Sequence, residues 1–422
     1  MNSVQFIKRD LLEELKDHLS EKEMSLIVGP RQAGKTTIMR KVQSHLEKNG
    51  QNTLFYDLDK QPELFETQEE FLQNLKLDAN KQRTFVFLDE IQRKKNAGLF
   101  LKGIYDRDLD YKFIVSGSGS LELKSDVHES MAGRKLVFEL STISFPEFVN
   151  FKTDYQYESQ LDQFFRLRKE KARLFLKEYL NFGGYPRVVQ KQTREQKRRM
   201  IGEIVDSYLR KDITDLLGVR KTDKFSKLIK IVSDQVGQPM NYSKLARDLQ
   251  IDQKTIKNYI YYAEETFVVD RVRPFFRNRK KELTKAPVPY FFDIGFRNYE
   301  LGQFGNLRTS SEFGIAFENL VYNQLKSKTR FSAYEVKYWR TKNQTEVDFI
   351  VTSSQRRAVP IEVKYKNLKE TKIPRSFRSF LKKYEPEKAY IVNLSLNETK
   401  EIEDVEVEFI SIFNFLGKLI VS

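Results

Sequence analysis

Eight residues near the start of the chain have the types and spacing of a phosphate-binding loop. The run Gly29-Pro30-Arg31-Gln32-Ala33-Gly34-Lys35-Thr36 matches the pattern G-x-x-x-x-G-K-[ST] in full. Its glycines let backbone N–H groups converge on phosphate oxygens, and the N-terminal end of the helix that follows, at Thr37, adds positive charge. In this pattern Lys35 reaches the β- and γ-phosphates, and the Thr36 hydroxyl ligates Mg²⁺. The loop therefore predicts binding of ATP or a related triphosphate together with Mg²⁺.

Two carboxylates follow an apolar run that predicts a buried strand over 84–88. Because the carboxyl ends of parallel strands meet at one edge of a sheet, Asp89 and Glu90 are expected beside the phosphate loop. Asp89 is then a ligand of Mg²⁺, directly or through water, and Glu90 polarises the attacking water. The alternative interpretation is that this acidic pair caps a helix that begins at Ile91.

Two further polar positions are candidates for the same chemistry. Ser116 follows a predicted strand over 112–115 and is expected to sense the γ-phosphate, although a flexible Gly-Ser turn explains the same residues. Arg134 precedes another predicted strand, Lys135–Leu140, and is a candidate arginine finger, acting in cis or on a neighbouring subunit. An ordinary surface arginine would have the same spacing.

Four charged residues in the last third have the types and order of a metal-dependent nuclease site. Glu362 and Lys364 point the same way from one predicted strand, because alternate residues of a strand share a face. Asp348 lies on the preceding strand, and Glu318 lies on a helix predicted over 311–326. A helical Glu followed by an Asp and then by Glu-x-Lys is the pattern of the restriction-endonuclease-like PD-(D/E)xK fold.

In that fold Asp348 and Glu362 ligate Mg²⁺ through hard oxygens, and Lys364 positions or activates a water molecule. Glu318 completes the metal shell. Two alternatives remain, because Glu-x-Lys on an exposed strand is common by chance and because this fold also serves as an inactive binding scaffold. The residue before the aspartate is Val347 rather than the usual proline.

The composition narrows the possible chemistry. The 422 residues include 74 Lys and Arg against 59 Asp and Glu, a net charge of +15, with no Cys and three His. The absence of Cys excludes disulfides, thiol nucleophiles and thiolate metal sites, so a metal here should be Mg²⁺ held by oxygen. Without a signal-peptide pattern or an apolar run near ~18 residues, the sequence favours a cytoplasmic protein with no membrane contact.

The middle of the chain predicts a helical lid and a helix-turn-helix. Residues 161–182 are expected to form one amphipathic helix that runs into the Gly-Gly-Tyr-Pro sequence at 183–186. Two short helices within 242–262, capped by Ser243 and Asp252, predict a helix-turn-helix with a wing strand over 267–272.

The second of these helices has an outward polar face that could contact nucleic acid. The basic stretch at 271–285 extends this surface and suits contacts with phosphates. Winged helices of ATPases also pack against the ATPase domain or bind proteins. This alternative to nucleic-acid contact therefore remains open. The outward residues are Gln253, Lys254, Lys257 and Asn258.

In combination these motifs resemble one family, the prokaryotic AAA-type ATPases related to the archaeal-ATPase and STAND branches, whose chains carry a C-terminal domain of unknown function. The resemblance covers essentially the whole chain. It implies a parallel sheet of order 5-1-4-3-2 and ATP hydrolysis. It also implies that Gly184 and Pro186 of the lid approach the bound base and that Arg134 occupies a family-typical position. The segments that carry the resemblance are residues 29–36, 87–92, 116–118, 132–134 and 143–148.

The expected organisation is an α/β chain of four units. These are a P-loop ATPase domain at 1–150, a helical lid at 151–224, a winged helix at 225–285 and a restriction-endonuclease-like domain at 286–422. We expect an Mg²⁺-dependent ATPase that works as a conformational switch coupled to DNA binding or processing, in a chain that can form homo-oligomers. The alternative is a nucleotide-switched protein-interaction module with an inactive C-terminal domain.

Overall fold

A five-stranded parallel sheet forms the core of the first third of the chain. In the computed structural model its strands lie in the order β2-β3-β4-β1-β5, which confirms the expected order 5-1-4-3-2. Strands β1 and β3 are buried along their whole length, as expected for a parallel sheet with helices on both faces. The strands are β1 (Met24–Gly29), β2 (Asn52–Asp57), β3 (Thr84–Asp89), β4 (Tyr111–Ser118) and β5 (Lys135–Glu139).

The structure describes residues 6–418 apart from several short gaps. These gaps are residues 62–64, 66, 79–82, 108, 119–129, 217, 220, 277–281, 283–284, 331, 342–344 and 354–356. Much of the basic stretch at 271–285 therefore lies outside the described residues. Among the helices that the structure does describe, none is long and apolar enough to cross a membrane.

Helices cover the two faces of the parallel sheet. Alternate residues of β1 divide between them: Ile27 packs with α1 and α2, whereas Leu26 and Val28 pack with α3 and α4. The helices are α1 (Leu11–Asp17), α2 (Lys35–Lys48), α3 (Gln68–Asp78) and α4 (Ala97–Tyr105), with 3₁₀ turns at His18–Ser20 and Ile91–Arg93.

A helical region follows the sheet. It contains α5 (Phe145–Lys152), a 3₁₀ turn (Glu158–Gln160), α6 (Leu161–Leu167), α7 (Lys169–Phe182), α8 (Pro186–Val189), α9 (Arg194–Ser207), a π-helix (Tyr208–Leu216), α10 (Thr222–Asp234), α11 (Tyr242–Leu249), α12 (Gln253–Glu265) and α13 (Ile294–Glu300).

The expectation of one helix over 161–182 was wrong. Arg168 has non-helical backbone angles and separates α6 from α7, so that Phe165 and Leu176 reach one shared core from two directions.

The two helices expected at 242–262 are present, with one difference in capping. Asn241, rather than Ser243, caps α11 by accepting a hydrogen bond from Lys244 N at 3.0 Å. Asp252 caps α12 as expected, accepting from Thr255 N at 2.8 Å. An aspartate or asparagine one residue before the first helical turn reaches the exposed N–H groups directly, whereas Ser243 already lies inside the helix.

Strand β6 (Val269–Val272) pairs antiparallel with β7 (Val288–Phe291) in a separate two-stranded sheet. Strand β7 falls within residues 286–422, the expected C-terminal unit, yet it pairs with β6 and not with the other strands of that unit. Asp293 caps α13, and its carboxylate accepts from Gly184 N at 2.8 Å. Residues 288–300 thus belong physically to the helical region.

The last third is built on a six-stranded mixed sheet of order β12-β13-β11-β10-β9-β8. Helix α14 packs on it through Phe317 and Leu320, and α15 packs through Phe377 and Phe380 in a second cluster. The elements are α14 (Ser310–Thr329), β8 (Tyr334–Arg340), β9 (Glu346–Ser353), β10 (Ala358–Val363), α15 (Arg375–Tyr384), β11 (Lys388–Asn393), β12 (Glu398–Ile402), β13 (Val405–Ser411) and α16 (Ile412–Gly417).

Candidate functional site

The phosphate loop connects β1 to α2, and two of its glycines are required by geometry. At Gly29 a Cβ atom would lie 2.1 Å from the Leu140 carbonyl oxygen, because residue 140 continues the ladder beside β1. Gly34 precedes α2 with φ +105°, in the region that L side chains avoid. Close backbone packing therefore requires a glycine at position 29, and a positive φ favours a glycine at position 34.

Lys35 is enclosed by the loop that it follows. Its ammonium donates to the carbonyl oxygens of Gly29 and Pro30, both at 3.0 Å, and only 5% of the residue is exposed. Burial lowers the pKa of Lys35, while the carboxylates of Glu90, Asp212 and Asp89 oppose that shift. The cation is thus held at the loop centre by weak acceptors that a triphosphate can replace.

The predicted magnesium ligands lie together at the carboxyl edge of the sheet. Thr36 Oγ1 donates to Asp89 Oδ2 at 2.6 Å, and the Ser116 hydroxyl donates to Asp89 Oδ1. Burial raises the pKa of Asp89, which is 1% exposed, although both hydroxyl contacts favour its charged form. Hydroxyl and carboxylate oxygens are the donors that Mg²⁺ prefers, so this set fits the ion.

Glu90 and Ser116 lie at the same carboxyl edge of the sheet. Glu90 N donates to Ser116 Oγ at 3.1 Å, and the Glu90 carboxylate accepts from the Gln92 side chain. Glu90 has φ 58° and makes no side-chain cap bond to the turn that begins at Ile91, so the capping alternative is not observed. Ser116 lies inside β4, which continues to Ser118, and not in a flexible turn.

The lid contacts the phosphate loop directly, through residues that sequence reasoning missed. Arg31 donates to Ser207 Oγ at 3.1 Å and to Asp212 Oδ1 at 3.4 Å. Asp212 lies in the π-helix, is 3% exposed, and its other oxygen is buried without a hydrogen-bond partner. Burial raises the pKa of Asp212, against the attraction of Arg31 and Lys35. An acidic side chain of the lid therefore faces the cations of the loop.

A cavity of about 710 Å³ opens beside this loop, between the N-terminal segment and the lid. Pro186 lines it, together with Phe6 and Arg187. Gly184 does not line this cavity. A Cβ atom there would lie 2.2 Å from the Ile143 carbonyl oxygen, so its small size serves close packing between the lid and the sheet.

Arg9 was also missed by sequence reasoning. It donates to the Ala33 carbonyl at 3.1 Å and to Glu147 at 3.1 Å, and it is 8% exposed. This buried ion pair ties the phosphate loop to α5 and to the chain that enters it. Nothing in the local sequence marks Arg9, because both partners are distant along the chain.

Arg134 lies at the opposite edge of the sheet from its own phosphate loop. Its carbonyl accepts from Met24 N at the start of β1, whereas the loop follows the end of that strand, about 16 Å away at ~3.3 Å per residue. Its guanidinium is half-buried and pairs with Asp106 at 2.7 Å. The geometry therefore excludes contact in cis with the nucleotide of the same chain in this conformation.

The four residues expected at the nuclease-like site lie close together on the second sheet. Strands β9 and β10 pair as far as Phe349 and Ile361, and beyond that point the Asp348 carboxylate accepts the Val363 N–H at 2.7 Å. Lys364 donates to Glu362 at 2.5 Å. Glu318 of α14 accepts from Tyr290 Oη at 2.7 Å.

Burial and mutual repulsion dominate the charges of this carboxylate cluster, defined as Glu318, Asp348 and Glu362. Burial, then the charge of Asp348, raises the pKa of Glu318 and of Glu362 to about 8. Burial raises the pKa of Asp348 to about 6, although Lys364 opposes the shift. Burial disfavours the ammonium of Lys364, but the attraction of Glu362 and Asp348 leaves its pKa raised.

A cation would relieve this repulsion. Glu362 is 4% exposed, and one of its carboxylate oxygens is buried without a hydrogen-bond partner. Among the described residues, no three His, Cys, Asp or Glu side chains already converge in the arrangement of a metal site. The carboxylate donors suit a hard divalent ion by their chemistry, and they would have to move together to bind one.

Three family models match separate parts of the chain. Residues 21–149 match an AAA domain, residues 173–306 match a domain of unknown function (DUF8612), and residues 313–413 match another domain of unknown function (DUF4143). Together with the strand order of the first sheet, the first match identifies the first third as an AAA-type P-loop domain.

The chain is also similar to several proteins over most of its length. An uncharacterized protein of Methanocaldococcus jannaschii is 25% identical over 412 residues, which cover 92% of this chain and 84% of the relative. An uncharacterized protein of Mycobacterium tuberculosis is 26% identical over 378 residues, covering 89% and 77%.

Two solved structures overlap more loosely. The replication initiator DnaA bound to AMPPCP and single-stranded DNA has a TM-score of 0.31 and 16% identity, covering 62% of this chain and 90% of that one. The Aeropyrum pernix ORC2 protein in its ADP form has a TM-score of 0.31 and 11% identity, covering 76% and 96%.

The raised pKa values of the carboxylate cluster predict a pH-dependent stability. The folded chain holds protons on Glu318 and Glu362 up to about pH 8, whereas the unfolded chain releases them near the ordinary value of 4.5. This stabilisation is complete below that ordinary value and is lost as pH rises through about 8. We expect the melting temperature to fall between about pH 6 and 8.5, measured by scanning calorimetry.

Glu362→Gln removes one of these titrations and should reduce the fall by at least about 2 °C, the shift that ~1 kcal/mol produces in a large domain. Mn²⁺ at about pH 8 should raise the melting temperature of the parent chain more than that of the variant. An identical pH dependence in both proteins would contradict the assignment of the shifted pKa to Glu362.

Proposed function

We propose that the first third of the chain binds ATP with Mg²⁺ and hydrolyses it. The observation that carries this proposal is the convergence of Lys35, the Thr36–Asp89 pair and Glu90 at one sheet edge. Mg²⁺, when bound, neutralises phosphate charge and orients the terminal phosphoryl group. Thr36 and Asp89 are the residues that would hold it.

Each remaining residue has a role that follows from its position. The backbone of Gly29–Thr37 surrounds the phosphates, and Lys35 exchanges its two carbonyl contacts for phosphate oxygens. Glu90 orients water, and Ser116 links Glu90 to Asp89, so that Ser116 senses the terminal phosphate indirectly. Pro186 and Phe6 bound the cavity where the base would lie.

Asp212 gives the lid a means to respond to the nucleotide. In the structure Arg31 is held by Asp212 and Ser207 of the lid. A triphosphate competes for Arg31 and Lys35, and its charge repels the buried carboxylate of Asp212. ATP binding should therefore loosen the π-helix, and hydrolysis should restore this contact.

A finger role for Arg134 requires a second copy of the chain, because its own loop lies at the far sheet edge. A homo-oligomer in which Arg134 leaves Asp106 for the phosphates of a neighbour satisfies this requirement. The proposal of a homo-oligomer therefore rests on Arg134 alone.

A second candidate function concerns the last third, for which we propose a PD-(D/E)xK-type site. The buried, unpartnered oxygen of Glu362 beside Asp348 and Lys364 favours it, because buried polar atoms usually have a hydrogen-bond partner and a metal ion would supply one here. Asp348, Glu362 and Glu318 would hold Mg²⁺, and Lys364 would orient the attacking water for phosphodiester hydrolysis. The alternative is a binding scaffold that responds to the nucleotide without cleavage.

The proposed units are the ATPase domain (1–150), the lid (151–224), a winged helix that contains α11, α12 and β6 (225–285) and the nuclease-like domain (286–422). The contacts of residues 288–300 with α7 and the lid favour moving the last division toward α14. The expected cytoplasmic location stays a prediction.

ATP turnover tests the first proposal. Lys35→Ala should abolish nucleotide binding, whereas Glu90→Gln should bind ATP and hydrolyse it at least ~100-fold more slowly, as expected for loss of a group that activates water. Binding is measured with a fluorescent ATP analogue and turnover by phosphate release. Lys48→Ala, at an exposed position of the same helix, is the control. Unchanged turnover in Lys35→Ala would refute the proposal.

Asp212→Asn tests the contact between lid and loop. Removing a buried negative charge near the triphosphate should strengthen ATP binding about three- to tenfold, because such pairs interact by ~0.7–1.4 kcal/mol at moderate distance. Asp206→Asn removes the same charge from an exposed position of α9 and should leave the affinity unchanged. Weaker binding in Asp212→Asn would mean that Asp212 instead positions Arg31 for the phosphates.

Plasmid nicking in Mg²⁺ or Mn²⁺, with and without ATP, tests the second candidate function. We expect the parent chain to nick DNA and Asp348→Asn to lose activity by a factor on the order of 100, as for removal of a charge-stabilising group. Glu335→Gln, an exposed position on β8, is the matched control. No nicking by the parent chain under any condition would favour the binding scaffold.

A further inference from the structure

A groove of about 710 Å³ lies on the helical region, between α11–α12 and the described residues 273, 282 and 285–287 that follow β6. One wall carries Gln253 and Lys257 of α12, and the opposite wall carries Arg273 and Lys285. The floor contains Asn241, the cap of α11. The groove is thus lined by side chains that donate hydrogen bonds, most of them cationic.

Three cations of this groove are not neutralised. Lys257, Arg273 and Lys285 are exposed, and no carboxylate among the described residues forms an ion pair with any of them. The other charges of the lining are already paired. Arg271 is bound by Glu264, and Glu282 accepts from Lys337 at 3.0 Å. The groove therefore presents an excess of three positive charges to a ligand.

One short segment forms a wall shared by the groove and the carboxylate cluster. Pro239 and Met240 line the groove, while Gly237 packs on Glu318, so closely that a Cβ atom would lie 2.7 Å from its carboxylate oxygen. Two residues span at most about 7 Å. The basic groove and the carboxylate cluster are therefore neighbours, separated by the backbone of residues 237–240.

The opposite wall of the groove leads to the same sheet. The Tyr338 hydroxyl donates to the Ala286 carbonyl at 2.6 Å, and Phe275 N donates to the Tyr338 carbonyl at 2.6 Å. Tyr338 belongs to β8, which pairs with the strand that carries Asp348. Both walls of the groove thus connect it to the carboxylate cluster.

We propose that this groove binds the phosphate backbone of a nucleic acid and presents it to the carboxylate cluster, with residues 237–240 as the barrier between the two. The choice of nucleic acid and its delivery to the cluster rest on the proposed nuclease-like function, whereas the affinity of the groove for an anionic chain does not. Unpaired cations supply affinity for phosphates, and Gln253 and Asn241 supply neutral donors. Nucleic acid fits better than an acidic protein, because phosphodiesters are the substrates that the neighbouring carboxylates and Lys364 would act upon.

Binding is measured by fluorescence anisotropy of a labelled ~20-base-pair duplex with the full chain in EDTA, so that cleavage cannot contribute. Lys257→Glu should weaken binding about tenfold, and the double variant Lys257→Glu/Arg273→Glu about 100-fold. The slope of log affinity against log salt should fall by about one for each cation removed. Lys227→Glu, at an exposed position of α10 outside the groove, should change the affinity less than twofold.

Equal effects of Lys257→Glu and Lys227→Glu would overturn the groove assignment. So would full displacement of the duplex by polyglutamate at equal charge concentration, which would indicate an acidic protein as the ligand. Melting curves of each variant show whether a loss of affinity reflects unfolding, and an exposed lysine should leave them unchanged.

Comparison with plasmid nicking separates the two proposals. Duplex binding that depends on Lys257, without nicking by the parent chain, would leave the groove assigned and refute only the nuclease-like function. Nicking that persists at the parent rate in a Lys257→Glu/Arg273→Glu variant with weakened binding would refute delivery through the groove. Loss of both binding and nicking in that variant supports the whole proposal.

Discussion

The cost of burying ionised carboxylates is the constraint that connects the two candidate sites. Removing a carboxylate from water is unfavourable unless hydrogen bonds or a cation compensate, and otherwise its pKa rises. Asp89 and Asp212 near the phosphate loop, and Glu362 in the carboxylate cluster, all have raised pKa values for this reason. Each therefore lies where an added positive charge would lower the free energy. Stability and ligand binding are coupled at both ends of the molecule.

The helical region packs against both parts of the molecule that carry a candidate site, because it shares a hydrophobic cluster with each. Asp293 caps α13 and binds Gly184 N, and the Gly184 carbonyl accepts from Ile143 N at 2.8 Å, beside the first sheet. Asn298 donates to the Leu180 carbonyl at 2.8 Å. One continuous hydrophobic cluster then extends from α5 to the six-stranded sheet.

Local chemistry explains why much of this arrangement could be predicted. A phosphate loop is a contiguous motif, so Gly29, Lys35 and Thr36 are recognisable without any fold. Asp89 and Ser116 were found because parallel strands end at one edge. The break at Arg168 and the cap at Asn241 were missed, since short helices of similar polarity differ only in where their ends pack.

The sequence by itself determined the loop, the strand order implied by its family resemblance, and the order of charged residues in the last third. Only the tertiary structure decided that Asp212 and Arg9 reach the phosphate loop, that Arg134 lies at its far edge, and that Gly237 separates a basic groove from Glu318. The physical reason is sequence separation. These contacts join residues far apart along the chain, and their energies depend on burial, which no local pattern records.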